Sequence, residues 1–184
     1  EQSFNKVLGS GQITPIQGTE DKNYWTGFKF KDSADDVLFA GFDGHMVHVR
    51  KIDNQWKVIK KFDPDFSSIE LLIEGEGNDV WASGKSDGIY RLTYDLEQME
   101  ILDQKKYDQR NGLPSNQNNY VFRINGQPYF GTERGIYRYD KIADQMVPDP
   151  TLEDLVGTEP VKIIREDGED IYYLSDQLQV LKKS

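Results

Sequence analysis

The sequence contains no cysteine, which removes disulfides, thiolate nucleophiles and cysteine metal sites together. Positive charge is also short. Of 184 residues, 22 are Lys or Arg against 32 Asp or Glu, a formal net charge of -10. That balance argues against a nucleic-acid partner, whose phosphates need basic side chains. It argues equally against an anionic membrane surface. No apolar run approaches the roughly 18 residues of a membrane-spanning helix, so no membrane contact is expected of this segment. Histidine is scarce as well: His45 and His48 are the only two. Three residues apart on one expected strand, they face opposite ways, against a shared metal or a base–nucleophile pair. Neither Gly-x-Ser-x-Gly, nor His-Glu-x-x-His, nor a phosphate-binding glycine loop occurs. No cofactor is implied. The chain begins at Glu1 and not at Met, as expected of a processed form or a piece of something longer.

Aromatic residues and short-range order are abundant. Ten Tyr and nine Phe favour strands over helices. Four stretches share one plan: a short apolar or aromatic strand from Asp36, Asp79, Gln127 or Asp170, a tight turn, then a second apolar strand. The turns end at Gly44, Gly88, Gly135 and Gln177, so they recur at spacings of 44, 47 and 42 residues. A period of that size built from short strands marks β-propeller blades. The expected fold is all-β, a single partial propeller over residues 1–184 with about four four-stranded antiparallel blades. It would be an arc or fragment of a larger propeller; a closed four-bladed ring is the lesser alternative.

Blade 1 occupies 24–60, with strands at 25–31, 37–41, 45–52 and 55–60. Blade 2 occupies 69–102, with strands at 69–74, 79–83, 89–94 and 98–102. Blade 3 occupies 119–148, with strands at 119–124, 128–132, 136–140 and 145–147. Blade 4, at 160–184, has strands at 160–166, 170–174 and 178–182 and lacks a fourth. Residues 1–23 are either an incomplete preceding blade or the source of a closing strand, with 4–8 and 12–16 as the strand candidates. Asn125-Gly126 is a hairpin signal because both residues tolerate positive φ. A single helical turn is expected at 151–156, capped by Thr151.

Propeller geometry puts the turns between second and third strands on the same face as the long connections between blades. That face carries Phe42, Asp43, His45, Lys85, Asp87, Glu133 and Arg134 on turns, and Phe66, Tyr107 and Asn116 on connections. Aromatic faces beside carboxylate, amide and guanidinium groups suit stacking on sugar rings and hydrogen bonding to their hydroxyls. These ten residues are the ligand-binding candidates. The opposite face gathers acidic turns: Asp32, Asp35, Asp36, Glu74, Glu76, Asp79, Glu166, Asp167, Glu169 and Asp170. They are either hard-oxygen ligands for calcium or a solvated rim, and the rim is favoured because no Asp-x-Asp-x-Asp-Gly loop occurs. Trp25, Trp56 and Trp81 are expected to pack within or between blades.

The segment Asn111-Gly-Leu-Pro-Ser-Asn116, then Val121-Phe-Arg-Ile124, then Tyr129-Phe-Gly-Thr132 and Gly135-Ile-Tyr-Arg-Tyr-Asp140 resembles the two-component regulator propeller repeat. Gly88-Ile-Tyr-Arg91 and Tyr94-Asp95 repeat part of it. The specific match covers about residues 78–150, and spacing carries the rest. That repeat occurs in periplasmic sensor regions of hybrid histidine kinases and regulators, notably in Bacteroidetes. The resemblance implies a non-catalytic, periplasmic sensing segment whose ligand is an oligosaccharide, with any kinase module elsewhere in the parent. The alternative is a propeller scaffold that docks a protein or forms a homodimer. A glycan-active enzyme is the lesser reading, since carboxylate pairs occur but the Ser-x-Asp-x-Gly-x-Thr-Trp box of sialidases does not.

Overall fold

A computed structural model of the chain describes residues 5–7, 13–84, 86–167, 170–175 and 178–182. The chain divides into two compact units, residues 1–72 and 73–184.

The first unit begins with β1 (Asn5–Val7) and β2 (Ile13–Pro15), which pair with one another. A four-stranded sheet follows in the order β3 (Tyr24–Lys29), β4 (Asp36–Gly41), β5 (Met46–Ile52) and β6 (Gln55–Phe62). The central strands β4 and β5 are largely buried, whereas the edge strands β3 and β6 are half exposed. Between β5 and β6, Asp53 and Asn54 both hold positive φ, at 51° and 60°. That backbone matches the twist of a two-residue hairpin.

The next sheet has the order β7 (Leu71–Glu74), β8 (Asp79–Ser83), β9 (Ile89–Asp95) and β10 (Glu100–Tyr107). The third repeats it with β11 (Tyr120–Ile124), β12 (Gln127–Thr132), β13 (Gly135–Asp140) and β14 (Gln145–Pro148). The fourth has β15 (Ile163–Asp167), β16 (Asp170–Leu174) and β17 (Leu178–Lys182). Each sheet is an antiparallel meander of sequential strands, and together they are the propeller blades implied by the 44-residue period. Asn125 and Gly126 join β11 to β12 with φ of 51° and 76°, the two positive values that an Asn-Gly hairpin supplies.

Aromatic rings fill the space between the sheets of the second unit. Trp81 of β8 lies edge-on to Phe130 of β12 at 4.9 Å and close to Tyr139 of β13 at 5.2 Å. Trp81 and Phe130 are almost inaccessible to solvent. The connection leading into the fourth sheet is tied to β12 through backbone: Val161 N–H donates to Thr132 O at 3.0 Å.

Three expectations need correction. The outer strand of the second sheet runs to Tyr107 rather than stopping at Leu102. Its polar stretch Asp103–Lys106 has no apolar signal because an outer strand buries only one face. The short helix α1 (Pro150–Val156) is capped by Asp149, not Thr151; Asp149 Oδ1 accepts from Leu152 N–H at 2.9 Å. Pro150 fixes the first helical φ and moves the start back. Trp25 is 63% exposed and is not a packing residue.

Candidate functional site

In the first unit the turn between β4 and β5 brings Phe42, Asp43 and His45 together with Lys22, Tyr24 and Trp25 of the segment entering β3. His45 is buried, and its Nδ1–H donates to Asp43 Oδ1. Lys22 Nζ donates to Asp43 Oδ2 at 3.0 Å, so both carboxylate oxygens are held. The imidazole lies over Gly41, where a methyl group would strike it. It meets the Tyr24 ring edge-on at 4.7 Å. Its Nε2 is buried without a hydrogen-bond partner. Burial, aided by the Lys22 charge, lowers the pKa of His45. Tyr24 is pushed up to about 12, by burial first and by Asp21 and Asp63 second. The site is therefore a neutral imidazole beneath a solvent-facing carboxylate.

Trp25 stands beside this group on an irregularity. Tyr24 pairs with Gly41 and Thr26 with Ala40, so Trp25 is an extra residue in β3. The indole N–H donates to Glu70 O at 2.9 Å, which fixes the ring. Phe42, 46% exposed, meets it at 5.7 Å and 88°. Phe66, by contrast, is buried, and its carbonyl and Cβ abut Gly44. Gly44 has φ of 87°, and any Cβ there would lie 2.6 Å from Phe66 O. Turn and connection thus meet on one face within the unit, with Phe66 as packing.

The second unit treats its candidates differently. Asp87 accepts from Tyr90 Oη at 2.5 Å and pairs with Lys106. Gly88 N–H donates to Asn116 O at 2.8 Å, and Asn116 Oδ1 accepts from Gln109 N–H at 3.0 Å. Asn116 therefore closes the long connection. The rest of the Asn-Gly-Leu-Pro-Ser-Asn motif serves the same end. Asp108 caps a 3-10 turn at Gln109–Asn111, Asn111 returns a side-chain acceptor to Asp108 N–H, and Leu113 is buried. Glu133 and Arg134 are exposed at the tip between β12 and β13. Lys85 lies outside the described residues.

Tyr107, expected on a loop, is the fully buried last residue of β10. Its ring packs between Trp81 and Tyr139, and its hydroxyl donates to Asp144 Oδ1 at 2.7 Å. Burial first, then its bonds to Tyr139 and Asp144, raise its pKa. Asp144 also accepts from Tyr139 and pairs with Lys105, and these bonds, that of Lys105 foremost, lower it to about 2.

Five carboxylates of the acidic turns, Asp36, Glu74, Glu76, Asp79 and Glu166, are spent on internal pairing, and Glu169 lies outside the described residues. Asp36, Glu74 and Asp79 are buried, which corrects the solvated-rim reading for these three. Asp36 accepts from His48 Nε2 at 2.5 Å, Arg50 Nε at 2.6 Å and Ser33 Oγ at 2.6 Å. Burial opposes ionisation of Asp36, but these donors outweigh it and hold the carboxyl below its ordinary range. Glu74 pairs with Arg123 at 3.1 Å, Asp79 with Arg91 at 2.9 Å, and Glu76 with Lys141. Glu166 accepts from Asn125 N–H at 2.9 Å. Among the described residues no group of three or more His, Asp or Glu is placed to hold a metal ion. Trp25 and Lys22 escaped the sequence reading. The signal was present: Trp25 shares its strand parity with the exposed Gly27 and Lys29.

No protein-family model and no curated protein matches the chain. Solved structures do. The extracellular domain of BT4673 from B. thetaiotaomicron, assigned to a one-component system, aligns at TM-score 0.67 and 14% identity over 98% of this chain and 25% of its own. The extracellular domain of BT3049 from the same organism, assigned to a hybrid two-component system, gives 0.57 and 13% over 98% of this chain and 25% of its own. The β-propeller domain of Cps50 (Swd1) from Myceliophteria thermophila gives 0.60 and 12% over 94% of this chain and 59% of its own. The likeness establishes a propeller fold. The chain spans about a quarter of the two bacterial structures.

Proposed function

We propose that this chain is a non-catalytic, ligand-sensing propeller segment from the periplasmic sensor region of a two-component regulator, and that its ligand is a glycan. The observation that carries the reading is the alignment of 98% of the chain to extracellular domains of two bacterial signalling systems. The repeat-like motif at residues 111–140 supports it from the sequence side. Two features support a binding role over a catalytic one. Both imidazoles are buried, and Asp36, Glu74 and Asp79 of the acidic turns are each engaged by an arginine. Signalling would then require ligand to favour one packing of the parent over another. Isothermal titration of oligosaccharides against this chain and against the whole sensor region tests the reading. Saturable binding by either supports it, and binding by neither removes the glycan.

A second reading, docking of another copy, is favoured by Ile142, 99% exposed at the turn between β13 and β14. Light scattering after size exclusion separates the two. A dimer that Ile142→Asp returns to monomer would favour docking.

A further inference from the structure

Among the described residues of the first unit most large side chains are buried or half-buried, but two aromatic rings are presented to solvent side by side. Trp25 is 63% exposed and Phe42 is 46% exposed. Exposed single aromatics are ordinary. This pair is built. Trp25 lies on the exposed side of β3 with Gly27 and Lys29, the Glu70 carbonyl holds its N–H, and the Phe42 ring meets it at 88°. The result is a fixed right-angled apolar corner. Its chain neighbours supply an equally fixed polar pair. Asp43 follows Phe42, Lys22 precedes Trp25 by three residues, and the two are joined at 3.0 Å. His45, buried beneath, takes the other carboxylate oxygen and orients it. The carboxylate and ammonium still face water, with 56% and 41% of their side chains exposed.

An occupant must match both halves. It needs a flat or convex apolar face for the rings and adjacent polar groups for the ion pair. A pyranose has both: axial C–H bonds on one face, and vicinal hydroxyls at the edge. One hydroxyl can donate to the Asp43 carboxylate while its neighbour accepts from the Lys22 ammonium. Charge narrows the class. Lys22 is already neutralised by Asp43, and the chain carries a net charge of -10, so a sulfated or uronic sugar finds no uncompensated cation here. A fixed corner also avoids part of the ordering cost of binding.

The geometry points to a subsite for a neutral hexose or pentose unit of an oligosaccharide, formed by Trp25 and Phe42 as platform and by Asp43 and Lys22 as hydroxyl partners. This inference rests on the ligand-sensing reading and adds to it the site and the charge class.

The test is tryptophan emission of the full 184-residue chain, titrated with two sets of probes. One set is neutral: cello-, malto-, manno-, galacto- and xylo-oligosaccharides. The other is charged: heparin and polygalacturonate oligosaccharides. Trp25 is the exposed indole, so a saturable emission shift with a neutral probe is expected. Trp25→Ala and Phe42→Ser should each weaken that binding at least about ten-fold by calorimetry. Asp43→Asn should weaken it while sparing the emission shift at saturation. Urea unfolding of each variant checks that the fold is kept. Unchanged affinity in Trp25→Ala and Phe42→Ser, with wild-type binding intact, would overturn the site and leave the sensing reading standing. Binding confined to the charged probes would overturn the neutral class alone. Binding by no probe would overturn both.

Discussion

Asp36 of β4 and Asp79 of β8 occupy the same place in two successive sheets. Each opens the second strand, and each reaches a basic residue on the third strand two steps along the ladder, where Leu38 pairs with His48 and Trp81 with Arg91. In the first unit the base is a buried imidazole, backed by Arg50. In the second it is a guanidinium stacked near Trp81 and Tyr139, whose hydroxyl also accepts from it at 3.0 Å. Burial lowers the pKa of His48, with the Asp36 bond opposing, and so favours the neutral ring. Burial works against the charge on Arg91 as well, but the Asp79 bond outweighs it and raises its pKa. The same carboxylate therefore closes a titratable pair in one unit and a permanent one in the other. Both histidines of the chain lie in residues 1–72, so sensitivity near neutral pH belongs to the first unit.

The largest test of this contrast removes the carboxylates. Asp36→Ala strands three donors around a buried position and should cost about 3 kcal/mol in urea unfolding. Asp79→Ala leaves Arg91 partly solvated, on its two rings and with Tyr139, and should cost about half as much. Equal losses would break the comparison.

A pH series comes next. The folded pKa of His48 and of His45 is depressed. Below about 6.5 the unfolded imidazoles take up protons before the folded ones do. Stability of the first unit should therefore be complete above about 6.5 and fall as pH drops through the lowered folded values. Hydrogen exchange, corrected for intrinsic rates, should show β5 losing protection between about pH 7.5 and 5 while β9 keeps it. His48→Gln should flatten much of that response. Loss in β9 of the same size would show that the histidines are not its source.

The smallest effect is expected at Asp144. Its pKa of about 2 gives the second unit stability that is present above the ordinary carboxylate range and lost as pH falls toward that value. Its side chain is 46% exposed, so water screens the Lys105 pair. Asp144→Asn keeps acceptors for the two tyrosine hydroxyls and should cost about 1 kcal/mol or less by urea unfolding. A loss comparable to that of Asp36→Ala would mean that the Tyr107–Tyr139–Asp144 cluster, and not the Asp79–Arg91 pair, is the stronger tie.

Much of the blade pattern was legible because inner strands carry it openly. Asp79–Ser83 and Asp170–Leu174 are apolar or aromatic between turn residues, and both strands form over those residues. Asn125-Gly126 and the glycines at 44, 88 and 135 mark their turns through positive φ. Outer strands hid their length, as β10 did, because one face suffices for pairing. The site was half legible. Phe42 and Asp43 stand out on a turn, but Trp25 reads as core by its size, and only its parity with the exposed Gly27 and Lys29 points the other way. Tyr107 looks like loop until Trp81 and Tyr139 enclose it.

The sequence alone determined the repeat, the all-β class and the absence of thiol chemistry, since periodicity and composition act within a few residues of chain. Which carboxylates are buried with a cation, which ring meets solvent and which carboxylate each histidine meets were decided only by tertiary structure. Those outcomes depend on strands tens of residues apart meeting in one register, and burial exists only once they have met.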